Sequence, residues 1–220
     1  VALIVDNPSL QSAVTEYLAR DQDAILIARI PTFIQLFEAK MNRSLFVRQM
    51  ESRVTAVTNP TQTEPEFIAL PADFQSMRRM RLTVGAAVGK PFLEYKSNQQ
   101  MDEYKLSIAG TPAQPQFFTI FGNEIELGPG PDAVYTVEMV YRQNIPALAT
   151  NNTNWLLTLA PDIYLYGALM EAAPYIKEDA RIQTWGAGLA SALGDLNQLG
   201  LTSAFNAGPL TVRPAGLKIW

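Results

Sequence analysis

The chain has 220 residues with no cysteine and no histidine, a formal net charge of -4 and 48% hydrophobic residues. The two absences exclude disulfides, thiolate metal sites, Cys–His and Ser–His–Asp catalysis and the usual neutral-pH general base, while the acidic balance argues against gripping nucleic acid through a basic surface. Disorder throughout is excluded too, and because no apolar run reaches the roughly 20 residues that cross a bilayer, the expectation is a soluble chain with no membrane contact and no secretory signal.

Leu10, Val14, Tyr17 and Leu18 share a helical face, and the spacing predicts a first helix over about Leu10 to Arg20 with Ser9 as its cap. Asp21 to Asp23 make a polar break. A second helix is expected from Pro31 or Thr32 to Met50, with Phe33, Leu36, Phe37, Met41 and Leu45 at three- and four-residue steps. Arg43 and Arg48 on it suit ion pairs on the helix surface or between subunits.

From Glu51 the period changes to two, with Arg53, Thr55 and Val57 on one side and Val54, Ala56 and Thr58 on the other. Asn59-Pro60-Thr61 is a turn, and Phe67 to Leu70 is a short strand ended by Pro71. Ser76 to Val84 is read as a strand with Arg79 and Arg81 on one face and Arg78, Met80 and Leu82 on the other. No aromatic residues interleave with these arginines as a single-strand stacking platform requires. Ion pairs across a subunit interface are the preferred reading, since guanidinium forks match carboxylates.

Gly85 to Gly89 is expected to turn loosely, Phe92 to Tyr95 to extend, and Ser97 to cap a brief helix through about Tyr104. Ala109 to Pro115 is a loop. Phe117–Phe121, the turn Gly122-Asn123 and Glu124–Leu127 form a hairpin, and Ala133 to Arg142 is the clearest strand, with Thr136, Glu138 and Val140 alternating against Tyr135, Val137, Met139 and Tyr141. Glu124 and Glu126 are the only acids whose spacing invites a glycosidase comparison. Two acids on the exposed face of a hairpin are ordinary, and no phosphate loop, paired-His helix or calcium loop accompanies them. No enzyme, cofactor or metal is expected.

Leu165, Ala168, Leu169 and Ala172 line one helix face, and Ile182, Trp185, Leu189, Ala192 and Leu196 line another. Pro161 suits a first helical position, with Asp162 at the positive end of the helix dipole. Pro174 is expected to kink or break the pair, placing Glu178 and Asp179 in the first turn of the second helix. After Leu199 the pattern dissolves. Leu201 to Trp220 carries Phe205, Leu210, Val212, Leu217, Ile219 and Trp220 among prolines and glycines, and twenty extended residues reach at most about 66–70 Å. An arm that is apolar at its tip calls for a partner surface.

Several stretches carry a resemblance. Asn154-Trp155-Leu156-Leu157, Pro161-Asp162-Ile163-Tyr164-Leu165-Tyr166, Glu171-Ala172-Ala173-Pro174-Tyr175 and Glu178-Asp179-Ala180-Arg181 with Trp185 resemble the head-to-tail adaptor (connector) proteins of tailed bacteriophages. So do Leu70-Pro71-Ala72-Asp73-Phe74, where the pattern leads into a helical turn, and the run from Ala39 to Glu51, in which Phe46 stands where a polar or basic residue is expected. Pro71, Asp73, Trp155, Pro161, Asp162, Tyr164, Tyr175 and Trp185 are its anchors, read as core or interface residues.

The fold class expected is α+β. N- and C-terminal helices (1–51 and 146–200) form a helical bundle, an antiparallel β-rich subdomain (52–145) is inserted between them, and 201–220 is an extended arm. The resemblance implies a structural virion protein of the neck, assembled in the host cytoplasm as a homo-oligomeric ring, a dodecamer, between portal and tail tube or nozzle. Duplex DNA would pass through the lumen without specific binding. In that reading the arm docks on the portal, and Arg43, Arg48, Arg79 and Arg81 face neighbouring subunits. The reading from another class is a β-rich virion or cell-surface module that binds glycans through its aromatic residues.

Overall fold

Asp6, not Ser9, starts the first helix. In the computed structural model, which describes residues 3–84, 91–177 and 179–204, α1 spans Asn7–Leu18 and the Asp6 side chain accepts the Ser9 amide at 3.0 Å. Ser9 is the third helical residue and its hydroxyl returns to the Asp6 amide, a reciprocal cap that satisfies two otherwise orphaned donors. Helix α2 likewise starts seven residues before the proline expected to open it: Asp23 caps Ala24–Ser44, and Pro31 lies inside. Pro31 and Ile27, whose carbonyl the proline leaves without its helical donor, are both exposed, so water can take the freed group. The helix ends at Ser44, short of Met50, and a single turn of 3-10 helix, Arg48–Met50, follows.

The chain forms two compact units, one from both ends of the chain (up to Arg48 and from Ala147 on) and one from Gln49–Pro146. The first is helical. A short α4 (Trp155–Leu159), capped by Asn154, leads into α5 (Pro161–Ile176), which packs against α1, α2, α4 and α6. Ile163, Tyr164, Ala168, Leu169, Ala172 and Ala173 of α5 are wholly buried. Gly167 lets α2 come close, because a Cβ there would run into the Phe37 ring. Tyr17 and Leu36, expected on apolar inner faces, are instead 43% and 49% exposed.

Pro174 sits in the last turn of α5 on the exposed side and the helix continues to Ile176, so the break falls at Lys177 in the left-handed conformation. Asp179 belongs to a 3-10 turn, Asp179–Arg181, rather than to the first turn of α6 (Ile182–Ala204), and Glu178 lies outside the described residues. Helix α6 outruns its apolar pattern by five residues. Gly200 passes Val47 closely enough that a Cβ would sit 3.7 Å from its Cγ1, so tertiary contact supports the helix where periodicity has faded.

The second unit is two sheets and a helix. Strands β1 (Glu51–Val57), β7 (Thr136–Gln143) and β3 (Phe74–Val84) form an antiparallel sheet in the order β1-β7-β3. Strands β2 (Phe67–Ala69), β6 (Glu124–Gly128), β5 (Phe117–Phe121) and β4 (Glu94–Tyr95) form the other, with β4 parallel to β5. Their inner faces share one core, built from Met80, Leu82, Val137 and Met139 on one side and Phe118, Ile125 and Leu127 on the other. Helix α3 (Asn98–Ser107), capped by Ser97 and three residues longer than expected, lies on the outer face of the four-stranded sheet. There Tyr104 packs edge-on to Phe117 at 4.8 Å and Asn98 accepts the Thr119 hydroxyl at 2.7 Å. Pro71 and Asp73 lead into β3 through a tight turn, not a helical one, with the Phe74 amide returning to the Pro71 carbonyl. The turn expected at Gly85 to Gly89 lies outside the described residues.

Candidate assembly surfaces

A register irregularity between Met77 and Arg79 decides which way the arginines of β3 point. It puts Met77 and Met80 on the core side three residues apart and turns Arg78 outward, where its Nε and Nη2 donate to Glu51 at 3.1 and 3.0 Å. Arg78 therefore does not share a face with Met80 and Leu82 as simple alternation predicts. The outward face of the three-stranded sheet instead gathers Arg53, Arg78, Arg79, Arg81 and Arg142 around two acids, Glu51 and Glu138.

Glu138 is the centre of that face. Thr55 and Arg81 flank it across the strands, and it is 1% exposed. Arg81 grips it bidentately, Nε to Oε1 at 2.6 Å and Nη2 to Oε2 at 3.1 Å, and Arg53 donates its Nε to Oε2 at 2.6 Å. Arg79 stands 3.9 Å from Oε1 and is half-exposed. The hydrogen bonds from Arg81 and then Arg53 hold the carboxyl down at about 2 against its burial, and the same bond raises Arg81. Arg142, mostly covered, is lowered by burial and then by the charge of Arg78. Glu138 appears in the sequence as one more alternating position. The usable signal was an acid at mid-strand, inside the clearest apolar alternation and within strand-pairing reach of an arginine run.

In the helical unit the anchor residues take different places. Tyr164 is wholly buried, with its hydroxyl donating to Glu38 and accepting from Asn154 at 2.6 Å, and its proton is held tightly by burial and by the charge of Glu38. Trp185 is buried at 6% exposure on α6. Trp155 is half-buried, and its indole N–H has no acceptor among the described residues. Tyr175 is half-exposed against the Phe33 ring at 5.6 Å. Pro161 and Asp162 open α5. In the other unit Asp73 accepts the Tyr141 hydroxyl at 2.8 Å. Glu126 takes Lys105 as its partner, while Glu124 stays exposed.

Helix α2 carries a second, outward stripe of Ile25, Ala28, Thr32 and Leu36, with Ile25 71% exposed and Leu36 half-exposed. Phe46 follows at 73% exposure. A helix apolar on two sides is one that expects cover on both. Arg43 and Arg48 are exposed with no acidic partner among the described residues. Phe205, Leu210, Val212, Leu217, Ile219 and Trp220 lie outside the described residues.

Fold and surfaces are those of an α+β protein that presents arginine forks and large apolar side chains. The model of the SU10 adaptor protein family matches residues 8–213, and the chain belongs to that family, one of head-to-tail adaptors of tailed bacteriophages. It is a structural virion family, not an enzyme family, and its adaptors associate with other head and tail proteins. No curated protein matches the chain.

Proposed function

We propose that the protein assembles as a closed ring of twelve copies beneath the portal and hands the DNA channel on to the tail tube or nozzle. The observation that carries this reading is the family match over residues 8–213. The outward side of α2 supports it, because Ile25 and Leu36 are large apolar side chains held at the surface, where another protein can cover them. In the ring the helical bundle of both chain ends builds the wall, residues 52–145 embrace neighbours, and Arg43, Arg48, Arg79 and Arg81 turn toward adjoining copies. Assembly takes place in the host cytoplasm, and the duplex slides through without specific contact.

The C-terminal arm docks on the portal. Residues 205–220 follow Ala204 in the sequence and carry Phe205, Leu210, Val212, Leu217, Ile219 and Trp220. Burying each large apolar side chain contributes about 1.5–3 kcal/mol, and a ring repeats the gain in every copy. The test is a chain ended after Ala204, which leaves α6 whole, offered to empty portal vertices. Loss of attachment is expected, and attachment equal to that of the full chain removes the arm from the docking role.

A further inference from the structure

The β unit is electrically two-sided. Among the described residues, the outward face of the three-stranded sheet holds five arginines against Glu51 and Glu138, a balance of three positive charges, on a chain whose net charge is -4. The opposite side of the sandwich, where α3 covers the four-stranded sheet, holds Glu66, Glu94, Asp102, Glu103, Glu124 and Glu126. Against these six acids stand, among the described residues, Lys96 and Lys105, a balance of four negative charges. The two faces lie back to back across one core.

We infer that the arginine face of one copy seats on the acidic α3 side of the next, so that the β unit joins copies head to tail. This rests on the ring reading and names the surfaces that close it. A contact between two different patches on opposite sides of a subunit is what repeats around a ring, whereas a self-complementary patch would stop at a dimer. The positive face is all arginine, with no lysine among the described residues. Arginine is the cation enriched in protein interfaces, where lysine is depleted, and its fork pairs two-pronged with carboxylates. Glu138 already serves Arg53 and Arg81, which leaves Arg79 at 3.9 Å, half-exposed, with donors to spare for an incoming acid. Val57, 62% exposed at the margin of the same face, adds apolar area.

The test uses the full chain, alone and with its portal, and measures the concentration at which half of it is assembled. Three variants are compared with the natural chain: Arg78→Gln with Arg79→Gln, Asp102→Asn with Glu103→Gln, and all four changes together. Arg53 and Arg81 still hold Glu138 in each, so thermal melting of the unassembled chains is expected to be unchanged. Each pair of changes is expected to raise the half-assembly concentration at least about tenfold, the factor that one lost charge-assisted hydrogen bond brings. The four together should cost clearly less than the product of the two effects, because removing one side of a contact leaves the other with little to lose. Multiplicative losses, or assembly of either pair of changes at the natural concentration, would overturn the joint. So would normal assembly of the arginine variant with weakened retention of a short DNA duplex, which would assign the face to phosphate. If the natural chain forms no ring alone or on portal, the ring reading fails first and takes this inference with it.

Discussion

Glu38 on α2 accepts the Tyr164 hydroxyl of α5 at 3.0 Å and the Leu148 amide at 2.9 Å, buried and with no cation beside it among the described residues. Two helices and the 147–154 segment are thus tied at one carboxylate. Burial raises its pKa, so the folded state holds the proton more tightly than the unfolded chain does. The stability this gives is complete below the ordinary carboxylate range and is lost as pH rises through the raised value. Glu38→Gln, which keeps an acceptor and drops the charge, should therefore gain stability relative to the natural chain between pH 4 and pH 7 in denaturant melts. Tyr164→Phe, which strips the network of its shared hydroxyl, should cost about 1–3 kcal/mol at either pH.

Glu138 has the opposite sign. Its carboxyl is held at about 2, so its ion pairs stabilise the fold fully above the ordinary carboxylate value and that contribution fades as pH falls toward 2. Urea melts of the natural chain and of Glu138→Gln should differ at neutral pH, with the variant weaker, and converge near pH 2. A difference that persists unchanged at pH 2 would mean that packing, not charge, makes Glu138 matter.

Gly167 separates helix propensity from packing. Alanine is favoured over glycine inside a helix by about 1 kcal/mol, yet a Cβ at 167 would enter the Phe37 ring. Overpacking of this kind typically costs about 1–3 kcal/mol, so Gly167→Ala should lower the melting temperature. Adding Phe37→Leu should recover part of the loss, because the smaller side chain makes room.

Much of the fold can be read from the sequence, and the rest fails for identifiable reasons. The alternation of β7, the hairpin at Gly122-Asn123 and the faces of α5 are visible because each is a run of one period. Helix starts are less so. Ser9 looks like a cap and is half of one, since Asp6 supplies the other half from outside the apolar pattern. Pro31 looks like a beginning because propensity penalises it inside a helix, but on an exposed side the penalty is met by water. One irregularity in β3 reverses Arg78, and period-two reasoning cannot foresee it. For the candidate surfaces, the arginines were legible by type, while the acid that organises them and the acidic far side of the sandwich needed strand pairing to be seen together.

The outer stripe of α2 offers a test of surface against core. Ile25→Ser with Leu36→Ser changes exposed positions, where substitutions usually stay within about 0.5 kcal/mol of the natural stability. Unfolding of the isolated chain should therefore barely move, while assembly should weaken. Clear destabilisation of the isolated chain would show that the stripe is covered from within.

The proposed working form of this chain is a closed ring seated against a portal. Electron microscopy of the full-length protein mixed with its own portal tests that most directly. Closed twelve-fold rings seated on the portal are predicted. A population that stays monomeric at every concentration and leaves the portal bare would mean that the chain does not work as a ring.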